Sequence, residues 1–345
     1  MNIVFMKENF VAKMTFALAF CMLFLSCSYV YGQDKFPIKI AVEFTNHAAS
    51  AYICLDKGWM QAESLDPTIY RYVTGMSLAA ALGRGDIQAA YLCLLPAINA
   101  YANAKVPLKI VAGTHRYGYG LVVNPQIVKK VSDLEKPGVR IGCVRAGGPA
   151  DAMLMKAIDK YGLASNTILN KVQRMNPARQ MMSIKMGHLE ASFSPEHWPA
   201  MAEQFGFKML LTSQEVWPGM QGSVLVVKQE LIENHPEIVR KLVRVTCKAT
   251  QWIQENPSDA SRAMLRQLQI NAGELLPSEI VEDALKVDIT PERMLKSMGR
   301  MEYSVAIDPH IVQEMIDYAE KQGNIRHGFD ARDILDLRFL HEEEG

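Results

Sequence analysis

The sequence predicts an α/β fold of two lobes, each a mostly parallel sheet flanked by helices, with a ligand cleft between them. Three observations carry this expectation. Short β-branched apolar runs alternate with helical stretches as far as Val227, the order expected when helices serve as the crossovers of a parallel sheet. Two β-like segments of similar composition, Leu121-Val-Val123 and Ser223-Val-Leu-Val-Val227, bracket about a hundred residues, so the chain should cross into a second lobe and return. The length of 345 residues is about twice that of one ordinary domain. The expected partition is residues 35–121 plus 223–345 in one lobe and 122–222 in the other.

Each element has a local reason. Ile38-Lys-Ile-Ala-Val42 reads as a strand leading through polar Asn46 into a helix that ends near Gly58. Thr68 to Val73 repeats the pattern, with Thr74-Gly75-Met76-Ser77 opening the helix Leu78 to Leu82. Ile87 to Leu92, a helix over Pro96 to Ala104, and Leu108 to Ala112 complete the first series. In the second series Val139 to Val144 is a strand, and Gly147-Gly148-Pro149 opens a helix through Tyr161. Lys171 to Met175 follows as a strand. Asn176-Pro177 then supplies an N-cap with proline in the first turn, and Gly187 stops that helix before the strand Leu189 to Phe193. Pro236 to Glu255 is strongly amphipathic, with Ile238, Leu242, Val245, Ala249 and Trp252 at helical spacing, and is read as core. The remainder to Leu340 looks mainly helical.

The amino terminus reads as an export signal over residues 1–32. Lys7 and Lys13 precede an apolar run from Met14 to Leu25, which is too short for a comfortable membrane span. Val30-Tyr-Gly32 offers small residues for cleavage, placing the mature start at Gln33. The alternative is lipid attachment at Cys27, although Phe24 fits poorly where such sites prefer leucine. Removal of residues 1–32 takes away Lys7, Lys13 and Glu8, so the net charge goes from 0 to 0 − (+1) = −1.

Composition excludes several classes. With 37 Lys+Arg against 37 Asp+Glu, no polybasic surface for nucleic acid is indicated. Beyond the apolar amino terminus the cysteines are Cys54, Cys93, Cys143 and Cys247, and none forms a CxxC or Cys/His ligand spacing. No metal and no cofactor is therefore expected. A Gly-x-Ser-x-Gly elbow, a Walker loop, an HExxH helix and a dinucleotide glycine fingerprint are all missing, so an enzyme is not expected.

In open α/β sheets ligands bind beyond the carboxyl ends of strands, where helix N-termini present unpaired N–H groups. Four loops qualify: Phe44 to His47, Thr74 to Ser77, Leu94 to Pro96, and Arg145 to Gly148. The ligand-binding candidates are Asn46, His47, Thr74, Gly75, Met76, Ser77, Arg145, Gly147, Gly148, Glu196 and Trp198. Thr74 and Ser77 place hydroxyls beside helix amides, and Arg145 adds a cation to a glycine-bearing helix start, which suits a small oxyanion. Each has a bland alternative: a helix cap for Thr74 and Ser77, an ion pair for Arg145, a loop residue for His47, and a turn with a packed indole for Ser192 to Trp198.

The ordered pieces Ile38 to Val42, Ala51-Tyr-Ile-Cys-Leu-Asp-Lys-Gly-Trp-Met60, Leu82-Gly-Arg-Gly-Asp-Ile-Gln-Ala-Ala-Tyr91, Val106 to Ala112, Met186-Gly-His-Leu-Glu-Ala191, His235-Pro-Glu-Ile-Val239 and Ala249 to Pro257 carry a resemblance. Over nearly the whole chain beyond the export signal they resemble the periplasmic solute-binding proteins of ABC importers, of the nitrate, sulfonate and taurine type. The resemblance implies a type II periplasmic binding protein fold, a small-molecule ligand, a membrane permease as partner and a monomer outside the cytoplasm. Ser194-Pro-Glu-His-Trp198 departs in order from the Glu-Pro-aromatic turn of such proteins. Asn46-His47 is more similar to the loop of relatives that bind pyrimidine thiamine precursors. Two further readings follow from the resemblance: a pyrimidine-precursor synthase, whose Cys-rich motif is absent here, and a ligand-sensing module for a membrane receptor.

Overall fold

A computed structural model describes residues 35–85, 87–275 and 289–344. The export signal and the lipid-anchor alternative at Cys27 lie outside the described residues. Helices of eight residues or more are numbered α1 to α9. In chain order the elements are β1 (Phe36–Glu43), α1 (Ala49–Asp56), β2 (Leu65–Tyr72), α2 (Gly75–Gly83), β3 (Ala89–Cys93), α3 (Leu94–Ala102), β4 (Leu108–Tyr117) and β5 (Tyr119–Val123). They continue with β6 (Ile141–Cys143), α4 (Pro149–Tyr161), β7 (Val172–Arg174), α5 (Pro177–Lys185), β8 (Ala191–Pro195), β9 (Lys208–Thr212) and β10 (Gln221–Lys228). The last are α6 (Pro236–Glu255), α7 (Pro257–Leu275), α8 (Pro291–Met298), β11 (Met301–Tyr303) and α9 (Pro309–Lys321).

The strands form two sheets, ordered β11-β4-β10-β3-β1-β2 and β7-β6-β8-β5-β9. Pairing is parallel at β1/β2, β1/β3, β6/β7 and β6/β8. It is antiparallel at β10/β3, β10/β4, β11/β4, β5/β8 and β5/β9. The sheets are thus mixed where mostly parallel ones were expected. The cause is the chain's route: on returning from the second sheet β10 inserts between β3 and β4 and runs against both, and β5 enters the second sheet running against β8. The strands β9 and β11 were not anticipated. β9 is half exposed, and β11 is three residues long and held by pairing to His115 through Tyr117.

The change of sheet falls at Gly118, between β4 and β5, and the return lies between Thr212 and Gln221. The expected boundary after residue 121 lies inside β5, all of whose residues pair in the second sheet. Both faces of the first sheet are covered, so alternate residues of one strand enter opposite cores. Ile38, Ile40 and Val42 pack with Leu242, Val245 and Ala249 of α6, while Ala41 packs with Leu78, Leu82 and Ile98 of α2 and α3. The amphipathic face read in α6 is buried as its spacing requires. Trp252 sits at the edge of that face, its ring perpendicular to Trp59 at 6.2 Å between centroids.

Candidate functional site

A cleft opens where the carboxyl ends of both sheets meet, enclosing about 490 Å³ of atom-free space with its mouth included. From the first sheet it takes Glu43 at the end of β1, Val73 to Met76 after β2, Cys93 at the end of β3 and Pro96 in the first turn of α3. From the second it takes Tyr119 at the start of β5, Val144 and Arg145 after β6, Gly148 to Ala150 at the start of α4, Pro177 of α5 and Pro195 of β8. Four prolines, two valines and a methionine thus supply apolar wall, interspersed with the polar side chains of Glu43, Thr45, Thr74, Tyr119 and Arg145. That is the composition of a site for a small organic molecule.

Two helices begin at this cleft. Thr74 caps α2, its hydroxyl accepting the Ser77 N–H at 3.2 Å and lying 2.8 Å from the Ser77 hydroxyl. Across the cleft Gly148 caps α4, with Pro149 in its first turn. Gly147 takes φ +81° and donates its N–H to Asp151 Oδ2 at 2.9 Å. The start of α4 closely follows the exposed Arg145, and the start of α2 packs at Gly75 against the buried Glu43.

The floor is an interlocked polar group. Glu43 accepts the Cys93 backbone N–H at 2.9 Å through Oε1 and the Cys93 thiol at 3.1 Å through Oε2. Its carboxyl lies against Gly75, where a Cβ would meet Glu43 Oε1 at 2.2 Å. Tyr119 donates its hydroxyl to Cys93 Sγ at 2.8 Å. Behind them the His47 ring lies between those of His115 and Tyr119, at 4.6 and 4.9 Å between centroids. Burial raises the Glu43 carboxyl and the Cys93 thiol from their ordinary pKa values and lowers His47 well below its own, so all three are driven towards neutral forms.

A family model described as the NMT1-like family matches residues 32–271. The chain belongs to the NMT1-like family. A protein of Brucella abortus with a provisional binding-protein name is 23% identical over 258 residues, covering 70% of this chain and 75% of that one. Among solved structures, the ligand-binding component of an ABC-type import system from Staphylococcus aureus, determined with zinc bound, superposes at TM-score 0.73 and 15% identity. It covers 90% of this chain and 99% of that one. The alkanesulfonate-binding protein SsuA from Xanthomonas axonopodis pv. citri, bound to MOPS, gives TM-score 0.69 and 15% identity over 89% of this chain and 100% of that one. These likenesses identify the periplasmic binding protein fold.

Within this NMT1-like chain the expected site residues separate into two groups. Thr74, Gly75, Met76, Arg145 and Gly148 line the cleft. Asn46, His47, Ser77, Gly147, Glu196 and Trp198 are not among its lining residues. Asn46 donates to Ser297 Oγ at 2.8 Å, and Ser297 in turn donates to Glu196 Oε2 at 2.7 Å, so both candidates belong to a buried network with α8. Trp198 is buried, with the His197 ring stacked on it at 4.8 Å. Glu43, Thr45, Cys93 and Tyr119 were missed. One signal existed for Glu43: a carboxylate ending an apolar strand at the edge where ligands bind. Spacing along the chain carries no Cys/His ligand pattern, and it is the fold that brings His47 Nδ1 to 3.6 Å from Cys93 Sγ.

Proposed function

We propose that this NMT1-like protein is the extracytoplasmic solute-binding component of an ABC importer, a monomer that captures a small polar organic solute in the cleft and delivers it to a membrane permease. The observation that carries the reading is the cleft itself, built from the carboxyl-terminal strand ends of two sheets joined at Gly118 and before Gln221. Such a cleft can close by rotation about those connections. The named relative and structural neighbours are binding proteins, and no helix among the described residues is long and apolar enough to cross a membrane.

The solute is an organic anion of the sulfonate kind. Arg145 and the starts of α2 and α4 provide positive potential from both lobes, while the proline-rich walls receive an apolar body. Burial raises the Glu43 carboxyl from its ordinary pKa, which lessens its opposition to an anion above it.

Native mass spectrometry of gently purified protein, followed by a thermal-shift panel of sulfonates, taurine, nitrate, bicarbonate, carboxylates and pyrimidines, tests this. Saturable stabilisation by an anion, with a smaller radius of gyration in scattering, is the expected result. Stabilisation by a neutral pyrimidine alone overturns the anion assignment; no ligand and no compaction overturns the solute-binding role. Intact mass of the exported product, starting at Gln33 or at a lipidated Cys27, fixes how the protein is retained.

A further inference from the structure

Three donor atoms of different chemical type converge beneath the cleft. Glu43 Oε2 lies 3.1 Å from Cys93 Sγ, His47 Nδ1 lies 3.6 Å from the same sulfur, and one ligand atom from each residue lies within 4.8 Å of the others. In a tetrahedral zinc site with bonds of about 2.0 to 2.3 Å, neighbouring donors stand roughly 3.3 to 3.6 Å apart. The separations to sulfur therefore suit a metal ion with only small movement of side chains.

The imidazole is already set for ligation. His47 Nε2 lies 2.7 Å from the Gly118 carbonyl oxygen, and a carbonyl can only accept, so Nε2 carries the proton and donates it. Nδ1 is left with its lone pair towards Cys93. A metal-binding histidine commonly fixes its tautomer in this way, through an outer hydrogen bond to a backbone carbonyl. Around the sulfur, Tyr119 donates at 2.8 Å and Ser223 donates at 3.5 Å, contacts that support a thiolate.

We propose that Glu43, His47 and Cys93 bind a divalent ion of the zinc class at the floor of the cleft. On binding, the thiol proton that now points to Glu43 Oε2 leaves to solvent, and the dication takes its place between the thiolate and the carboxyl oxygen. A thiolate, an imidazole and a carboxylate together suit zinc and exclude the all-oxygen preference of magnesium or calcium. Glu43 and Cys93 both line the cleft, which supplies an entry path and leaves one side of the ion free of protein ligands.

The test uses metal alone, so its outcome is independent of the solute. Chelator-treated full-chain protein, as exported, is titrated with Co²⁺ and then with Zn²⁺. One equivalent should bind with a near-ultraviolet thiolate-to-cobalt charge-transfer band, release the thiol proton, and be displaced by zinc. Cys93→Ser should abolish the band and His47→Gln should weaken binding by at least about tenfold, while Cys54→Ser and Cys247→Ser leave both unchanged. X-ray absorption of the wild-type zinc complex, which needs no variant to fold, should give one sulfur at about 2.3 Å with nitrogen and oxygen completing the shell. Substoichiometric binding, a band that survives Cys93→Ser, or a shell without sulfur overturns the proposal.

Discussion

Arg300 donates to Glu196 Oε1 at 2.9 Å and to Glu203 Oε1 at 2.6 Å. One guanidinium on the turn between α8 and β11 thereby holds two carboxylates of the segment following β8. Glu196 is only 1% exposed at its side chain, and a carboxylate so buried requires a cation or several donors. The Asn46–Ser297–Glu196 chain extends the network to the loop after β1. Arg300→Ala should destabilise the protein by about 3 kcal/mol in urea unfolding, because it leaves Glu196 buried without its cation. Adding Glu196→Gln should recover part of the loss. A loss below about 1 kcal/mol would show that solvent replaces the guanidinium easily.

Gly118 has φ +91°, and a Cβ there would stand 2.7 Å from His47 Nε2 and 2.9 Å from Met301 Sδ. Gly118→Ala meets backbone strain and two clashes together. The expected cost is about 2 to 3 kcal/mol, read by thermal or urea unfolding. Gly58, also at positive φ but with open space around its Cβ position, should cost less when replaced by alanine.

His197 is buried and its pKa is lowered by burial to about 3, against an ordinary value near 6.5. Its neutral form is the folded form, and its contribution to stability is complete above pH 6.5 and is lost as pH falls from there towards 3. Between pH 7 and pH 5 the wild type should lose about 2 kcal/mol through this residue. His197→Gln should narrow the pH 7 to pH 5 stability gap by that amount, whatever its effect at either pH alone. An unchanged gap would place the protonation elsewhere.

Thr74 caps α2 at the cleft. Thr74→Ala should cost about 1 kcal/mol in thermal unfolding, and Thr74→Ser should restore most of it, since either hydroxyl can accept the Ser77 N–H.

Arg145 on the cleft rim is expected to meet the solute directly. Once the panel identifies an anion, Arg145→Ala should weaken its affinity by about ten-fold to a hundred-fold in calorimetry, the worth of one charge-assisted hydrogen bond. Unchanged affinity removes Arg145 from the site.

Local chemistry in the sequence determined much of this molecule. The strand at Ile38 to Val42, the capped starts at Thr74 and Asn176-Pro177, and the buried stripe of α6 all follow from side-chain periodicity, caps and glycines within a few residues. The loops beyond the strand ends were legible for the same reason, and five of the eleven expected residues line the cleft there. Tertiary structure alone decided what depends on partners distant in the chain. Glu43 meets Cys93 across 50 residues, and Glu196 meets Arg300 across 104. The insertion of β10 between β3 and β4 is equally non-local. No repeating pattern records such pairings, because they are set by how strands are ordered in a sheet and how two buried faces close. His47 could therefore be recognised as a residue beside the cleft, but its place beneath the floor came from the fold of β1, β3 and β5 around it.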